Sequence, residues 1–334
     1  MPSSGITTPM IRAAFLAATT LCALAPQAQA QESGERPTPA AIVASAPAGD
    51  WRAIDPAELL VMELAQGLRG EERRVVIQLL PPPFARGWVE NIRTLARAHW
   101  WDGTSVYRVV DNFVAQWGDG EDKQRIAKPL PEGLRLVPES DYVTAVQPGP
   151  EDGRDFVLVP ERADVVVNRW LDSYAITAFV AGWPVGLDDR GGRTAWPVHC
   201  YGTVGVARDL SPNTGTGAEL YAVIGHAPRP LDRNIAVVGR VIAGIEHLAT
   251  LPRGTGEAGV YANPAERVPI LSVRLGDEPP ATQQPRFEYL ATDSDSFARY
   301  VHLRANRRDT FYQVPAGGVD VCGVSVPVRR VAAD

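Results

Sequence analysis

The segment YRVVDNFVAQWGDG, Tyr107–Gly120, sets one permanent cation among apolar residues: Arg108 stands five residues before Phe113 and eight before Gln116. Arginine keeps its charge and presents its donors in a fixed fork. One reading is a cationic group aimed into an apolar pocket, where a low local dielectric strengthens its attractions. The competing reading is a half-buried strand with an incidental surface charge, and this segment alone favours it. If the segment begins as a strand, alternation places Val106 and Arg108 on one face. The turn-type pair Asp111–Asn112 breaks the alternation. Phe113 and Gln116 return to the Arg108 side only if the chain resumes after that break.

The other reactive groups form no constellation. The histidines are His99, His199, His226, His247 and His302, with no i, i+4 pair among them, and there is no C-x-x-C. Metal sites built on helices or knuckles need those spacings. The histidines therefore read as surface or boundary residues, and no metal or cofactor is expected. No G-x-S-x-G elbow marks a hydrolase. GTGEAG (Gly254–Gly259) matches the dinucleotide fingerprint by letter. That fingerprint needs a strand before it and a helix after it, so that a pyrophosphate meets a helix N-terminus. Here a helical pattern precedes and VYANPAERVP follows, so the stretch reads as a flexible loop.

Several elements must position these residues. LLVMELA (Leu59–Ala65) and RRVVIQLL (Arg73–Leu80), separated by a turn, predict a β-hairpin. The spacing of Trp88, Ile92, Leu95 and Ala96 predicts a helix over Ala85–Ala98. Residues 120–200 read as a long insertion with little regular structure. Strand patterns resume at YGTVGVA, ELYAVIG and IAVVGRV, a second helix is expected over Val241–Leu251, and RVPILSVRL closes the set. A hairpin, a helix, many strands, a helix and a final strand suggest a mostly β chain with a closed barrel and two helices. Beyond Gly276, a capped helix within Asp293–Asp309 and an edge strand or two within Val319–Val328 form a small α/β extension, read as a packing appendage.

Composition excludes some partners. The chain has 33 basic and 39 acidic residues, a net charge of −6. It lacks the basic footprint of a nucleic-acid binder. Arg12, the apolar run Ala13–Ala25 and the small residues Ala28 and Ala30 around Gln29 read as a signal peptide over 1–30, cut before Gln31. The expected product is exported, periplasmic or secreted, with no membrane insertion after cleavage. Residues 31–55 read as a flexible linker. Cleavage leaves Cys200 and Cys322, which either pair in an oxidising compartment or remain buried thiols; their Cα distance decides.

Three stretches carry a resemblance. These are Arg73–Asp119, Tyr201–Pro252 with PNTGTGAELY, LD and VGRV inside it, and the closing RVPILSVRL. In order and spacing they resemble the cyclophilin family of peptidyl-prolyl cis–trans isomerases. The resemblance implies a closed eight-stranded barrel capped by two helices over 56–277, with 278–334 as an added extension. It also implies an isomerase acting on proline-containing segments of client proteins without a cofactor. The alternative is a weakly active cyclophilin-fold module that binds or scaffolds peptides.

Carried over residue by residue, the resemblance makes Arg108 the main catalytic group and Phe113 the floor of the proline pocket. Gln116 binds the substrate backbone and orients Arg108. Val114 stands where methionine is common, Tyr221 takes an aromatic pocket position and Leu231 an aliphatic one. Ala207 and Arg208 fall where an alanine–asparagine pair contacts substrate. Some positions depart from the pattern: Glu219 replaces glutamine, Pro230 tryptophan, Ile235 a histidine or tyrosine, and Val238 phenylalanine. These changes imply a wider, less aromatic pocket, and a Glu219 that either pairs with Arg108 or competes with substrate.

Overall fold

The computed structural model describes residues 36–120, 127–148, 156–158, 167–188 and 193–331; the stretch 1–30, expected to be a signal peptide, lies outside them. The described chain opens with helix α1 (Pro39–Ala44) and strand β1 (Trp51–Ile54). The hairpin β2 (Leu59–Leu64) and β3 (Arg73–Leu79) leads to α2 (Arg86–Arg97), β4 (Ser105–Val109) and β5 (Val114–Gly118). The insertion holds β6 (Thr144–Pro148), β7 (Phe156–Leu158), β8 (Val167–Leu171), β9 (Ile176–Val180), β10 (Trp183–Asp188) and β11 (Thr194–Pro197). Then come β12 (Thr203–Val206), β13 (Leu220–Val223), β14 (Val237–Ala243), α3 (Glu246–Ala249) and β15 (Val268–Leu275). The tail adds β16 (Phe287–Leu290), α4 (Asp295–Ala305) and β17 (Val328–Arg330).

Eight strands close into an antiparallel barrel in the order β12-β13-β5-β4-β15-β2-β3-β14, with β14 returning to β12. Closure removes the sheet edges. Period-two alternation fills the interior: Ala115 and Trp117 of β5 and Leu220 and Ala222 of β13 point inward and are buried. Helix α2 caps the barrel with Trp88, Ile92, Leu95 and Ala96, the face its spacing predicts. Burying Ile92 or Leu95 contributes about 1.5–3 kcal/mol each. The helix stops where His99 takes a left-handed φ of 51° and the Trp100 N–H turns back to the Leu95 carbonyl.

Three expectations change. The insertion is not mainly loop: β7-β6-β11-β10-β9-β8 form a six-stranded sheet. Its apolar runs are short, so each strand is recognisable only when a neighbour covers it. The insertion is also pinned to the barrel domain. Trp88 stacks on Tyr142 at 5.3 Å, and Asn91 exchanges bonds with the Arg135 backbone at 2.9 and 2.8 Å. Residues 39–54, placed in the flexible linker, instead form α1 and β1. Ile42, Trp51 and Leu290 share a second core with Phe179 of the insertion and Phe297 of α4. Proximity in sequence did not reveal these partners, because β1 pairs with β16 from the far end of the chain. The second capping helix is a single turn, Glu246–Ala249, because β14 runs on through Ala243 to pair with β3.

The tail packs against α1, β1 and the insertion through the second core. Ser294 caps α4 by accepting from the Phe297 N–H at 3.1 Å, and Phe297 and Tyr300 are buried. Cys200 and Cys322 are joined by a disulfide, Cα to Cα 5.1 Å, which ties the tail to the segment entering β12.

Candidate active site

One row across the barrel wall collects the candidate groups. Register sets Arg108 of β4 opposite Gln116 of β5, Gln116 opposite Tyr221 of β13, and Tyr221 opposite Gly205 of β12. Adjacent strands lie about 4.8 Å apart, so these side chains are neighbours. The row faces away from the barrel interior, since the alternate residues point in.

A bulge makes this possible. The β4–β5 register slips between Val106 and Arg108, leaving Tyr107 as the extra residue. Val106 lies opposite the inward Trp117 and is fully buried, whereas Arg108 lies opposite the outward Gln116. Val106 and Arg108 therefore do not share a face, because a bulge shifts side-chain parity by one. The turn at Asp111–Asn112 breaks the strand as its composition predicts. Asn112 takes a φ of 50°, and its Oδ1 accepts from the His226 N–H at 2.8 Å. Asparagine tolerates this conformation better than most residues.

Arg108 is half-buried and held on two sides. Its Nη1 donates to Gln116 Oε1 at 2.9 Å, and its Nε donates to the Ala258 carbonyl at 2.7 Å. Burial draws its pKa below the ordinary guanidinium value. Gln116 Nε2 in turn donates to the Tyr107 hydroxyl. This bond points the Gln116 oxygen at Arg108. The Tyr107 hydroxyl also bonds the Glu219 carboxylate. Glu219 Oε1 accepts from the Asp119 N–H at 2.8 Å and the Gly120 N–H at 3.4 Å. Gly118 leaves room for it: a Cβ there, at a φ of +149°, would meet the carboxylate at 2.2 Å. Burial raises the Glu219 pKa, and the bonds from Tyr107, Asp119 and Gly120 only partly offset it. From the sequence, Glu219 either pairs with Arg108 or competes with substrate. The pairing does not occur, because Glu219 is engaged one layer back.

The apolar pocket lies along the same face. Val114, Tyr221 and Val223 are buried, and Phe113, Ala207, Leu231 and Ile235 pack against them. Val238 does not join them. It is fully buried in the barrel core, on the opposite side of β14, so its assignment to the pocket is corrected. Ala207 N donates to the Glu219 carbonyl at 2.9 Å. The Arg208 guanidinium turns instead to the Asn234 carbonyl, at 3.0 and 2.8 Å, and to that of Asp209 at 2.6 Å. A cavity of about 550 Å³ adjoins Gln116, Ala207 and Glu219, walled on one side by Ala127, Lys128 and Leu130 of the insertion.

Two features escaped sequence reasoning. GTGEAG is no free loop: the Gly254 N–H donates to the Val109 carbonyl at 2.8 Å, and Ala258 fixes Arg108. Its glycine density signalled a close approach of backbones. His199 is no surface histidine. It is 0% exposed, with Nδ1 2.9 Å from Asp232 Oδ1 and Nε2 2.9 Å from the Tyr221 hydroxyl. Nothing in its local sequence announced those partners.

The cyclophilin type peptidyl-prolyl cis-trans isomerase family model matches residues 74–275, more than half of the chain. The chain belongs to this family. It is a peptidyl-prolyl cis–trans isomerase by class, and the closed barrel above is the cyclophilin fold. Cyclophilin AquaCyp293 from Hirschia baltica is similar over 89% of this chain and 99% of its own, with 21% identity and a TM-score of 0.60. A Cryptosporidium parvum cyclophilin type peptidyl-prolyl cis-trans isomerase, solved in the presence of the dipeptide Ala-Pro, is 10% identical over 65% of this chain and 98% of its own, with a TM-score of 0.36. No curated protein matches the chain.

Proposed function

We propose that this cyclophilin isomerises X-Pro bonds in proline-containing segments of exported proteins, with Arg108 as the catalytic donor. The barrier to rotation about an amide is about 18–20 kcal/mol and arises from resonance. Twisting the C–N bond by about 90° removes that resonance and localises a lone pair on the proline nitrogen. A guanidinium N–H aimed at that nitrogen binds the twisted state better than either planar state, which is what lowers the barrier. Phe113, Val114, Tyr221, Leu231 and Ile235 offer the proline ring an apolar seat. No proton transfer and no covalent intermediate is required.

The observation that carries this reading is how Arg108 is held. Its two bonded nitrogens meet neutral oxygens, and among the described residues no carboxylate lies within ion-pair distance of it. The cation is fixed in place yet not neutralised, and Nη2 remains for substrate. In a protease-coupled proline-peptide assay, Arg108→Ala is expected to lower kcat/KM by about 100- to 1000-fold, the scale of a lost transition-state donor. An unchanged rate overturns the assignment.

Export is supported by the Ala13–Ala25 run with Ala28 and Ala30 before Gln31, and by the Cys200–Cys322 bridge, since disulfides persist in oxidising compartments. A mature protein beginning at Gln31 in the periplasm or medium is expected. An unprocessed chain in the cytosol would remove this part of the proposal.

A further inference from the structure

The wall of the proline pocket has an unusual foundation. Phenylalanine would fill the ring volume of Tyr221, but the hydroxyl must find a partner when buried. Tyr221 is 4% exposed, and a slot is built for its hydroxyl: a Cβ on Gly205, the facing residue of β12, would come within 2.3 Å of it. In that slot the hydroxyl meets His199 Nε2. Asp232 Oδ1 accepts from the His199 backbone N–H and lies at its Nδ1, both at 2.9 Å. A proton on Nδ1 makes Nε2 the acceptor, so the Tyr221 hydroxyl donates and its ring is held in one orientation.

The chain of groups then leaves the barrel. Asp232 Oδ2 accepts from Arg229 Nε at 2.7 Å, and Arg229 Nη1 donates to Asp172 Oδ2 at 2.5 Å. Asp172 follows β8 of the insertion, and its Oδ1 accepts from the Tyr174 and Ala175 N–H groups at 2.8 and 2.9 Å. Arg229 also sits over the Tyr174 ring, 4.7 Å from its centre. Stability alone does not account for these groups, since apolar residues of similar volume usually serve a core as well as a buried ion pair does.

We propose that His199 is a positioning residue for the isomerase, holding Tyr221 as the proline-pocket wall, and that the Asp232–Arg229–Asp172 pairs tie this wall to the docked insertion. The proposal rests on the prolyl isomerase reading above. A displaced wall weakens planar and twisted substrate alike, so KM rises while kcat holds. A merely structural role would act otherwise: partial unfolding lowers kcat per total protein and leaves KM unmoved.

The test uses the full chain with a proline-peptide substrate, and measures the Kd of the same peptide separately. His199→Leu is expected to raise KM and Kd about five- to tenfold, the scale of one buried hydrogen bond. His199→Gln, which keeps a polar partner, should recover part of this. In a Tyr221→Phe background, which has no hydroxyl to hold, His199→Leu should add less than about twofold. Asp172→Asn, a milder change at the insertion, should raise KM about two- to threefold. It supplies the readout if His199→Leu does not fold. Unchanged KM and Kd in both His199 variants, or an equal rise in the Tyr221→Phe background, overturns the proposal. An inactive wild type, or an Arg108→Ala variant as active as wild type, sinks the isomerase mechanism instead, and the Kd ratios still judge His199.

Discussion

Two arginines sit on either side of Tyr221 and are treated in opposite ways. Arg108 is half-buried and bonded, among the described residues, only to amide oxygens, and burial lowers its pKa. Arg229 is 4% exposed, paired with Asp172 and Asp232, and stacked on Tyr174. Burial opposes its charge too, but the two carboxylates outweigh this and raise its pKa. Burial likewise opposes ionisation of Asp172, yet the Arg229 guanidinium and two backbone N–H groups hold its pKa below the ordinary value. On the proposed mechanism, the difference separates a working cation from an anchoring one: a cation that answers a transient lone pair is held by neutral dipoles, while one that holds structure is neutralised on the spot.

The largest expected effect breaks the anchor. Arg229→Ala strands two buried carboxylates and should cost about 3–5 kcal/mol of unfolding free energy. Arg108→Ala, at a half-exposed site with no counterion among the described residues, should cost less than about 1 kcal/mol. Urea unfolding of both measures the contrast, and equal losses would abolish the distinction.

A sharper variant makes Arg108 resemble Arg229. Gln116→Glu places a carboxylate where Oε1 now accepts from Nη1. The fold should survive, but the neutralised cation should lower kcat about ten- to a hundredfold. Full activity would show that an unpaired charge is not what matters.

Gly205→Ala tests the Tyr221 slot with one methyl group. Overpacking against the hydroxyl should cost about 1–3 kcal/mol and raise KM more than it lowers kcat. A crystal structure with Tyr221 undisplaced would contradict the expected cause.

The smallest effect concerns Glu219. Its folded pKa is raised above 4.5, so the folded state binds the proton more tightly than the unfolded one. Stability is therefore greatest when the group is protonated, and falls as pH rises from about the unfolded value through the folded one. Glu219→Gln should flatten this decline and raise Tm modestly near neutrality. An unchanged pH profile of Tm would count against a strained carboxylate behind Gln116.

Much of the barrel was legible in the chain because alternation and helix spacing are local. The β2–β3 hairpin, α2, β4 with its break at Asp111–Asn112, and β12 to β15 all follow from runs a few residues long. The insertion sheet and the β1–β16 pair were not legible. Their strands are short and gain their cover from segments far away in sequence. At the site, Arg108, Phe113 and Gln116 stood out through spacing and family resemblance. Val238 is not legible as core, because one residue of parity separates it from Val237, which lies opposite Gly205 on the pocket face.

The residue types by themselves determined the chemical repertoire: a permanent cation near apolar residues, no nucleophile elbow, and barrel strands in a fixed order. Only the tertiary structure decided which charges are free. The bulge at Tyr107 turns Arg108 outward beside Gln116, and the fold sends Glu219 to the Asp119 and Gly120 backbone. It also brings His199, Asp232, Arg229 and Asp172 together beneath Tyr221. The reason is physical. Strand character depends on neighbours two residues away, whereas the partner of a charge depends on register and burial, which exist only once distant segments have packed.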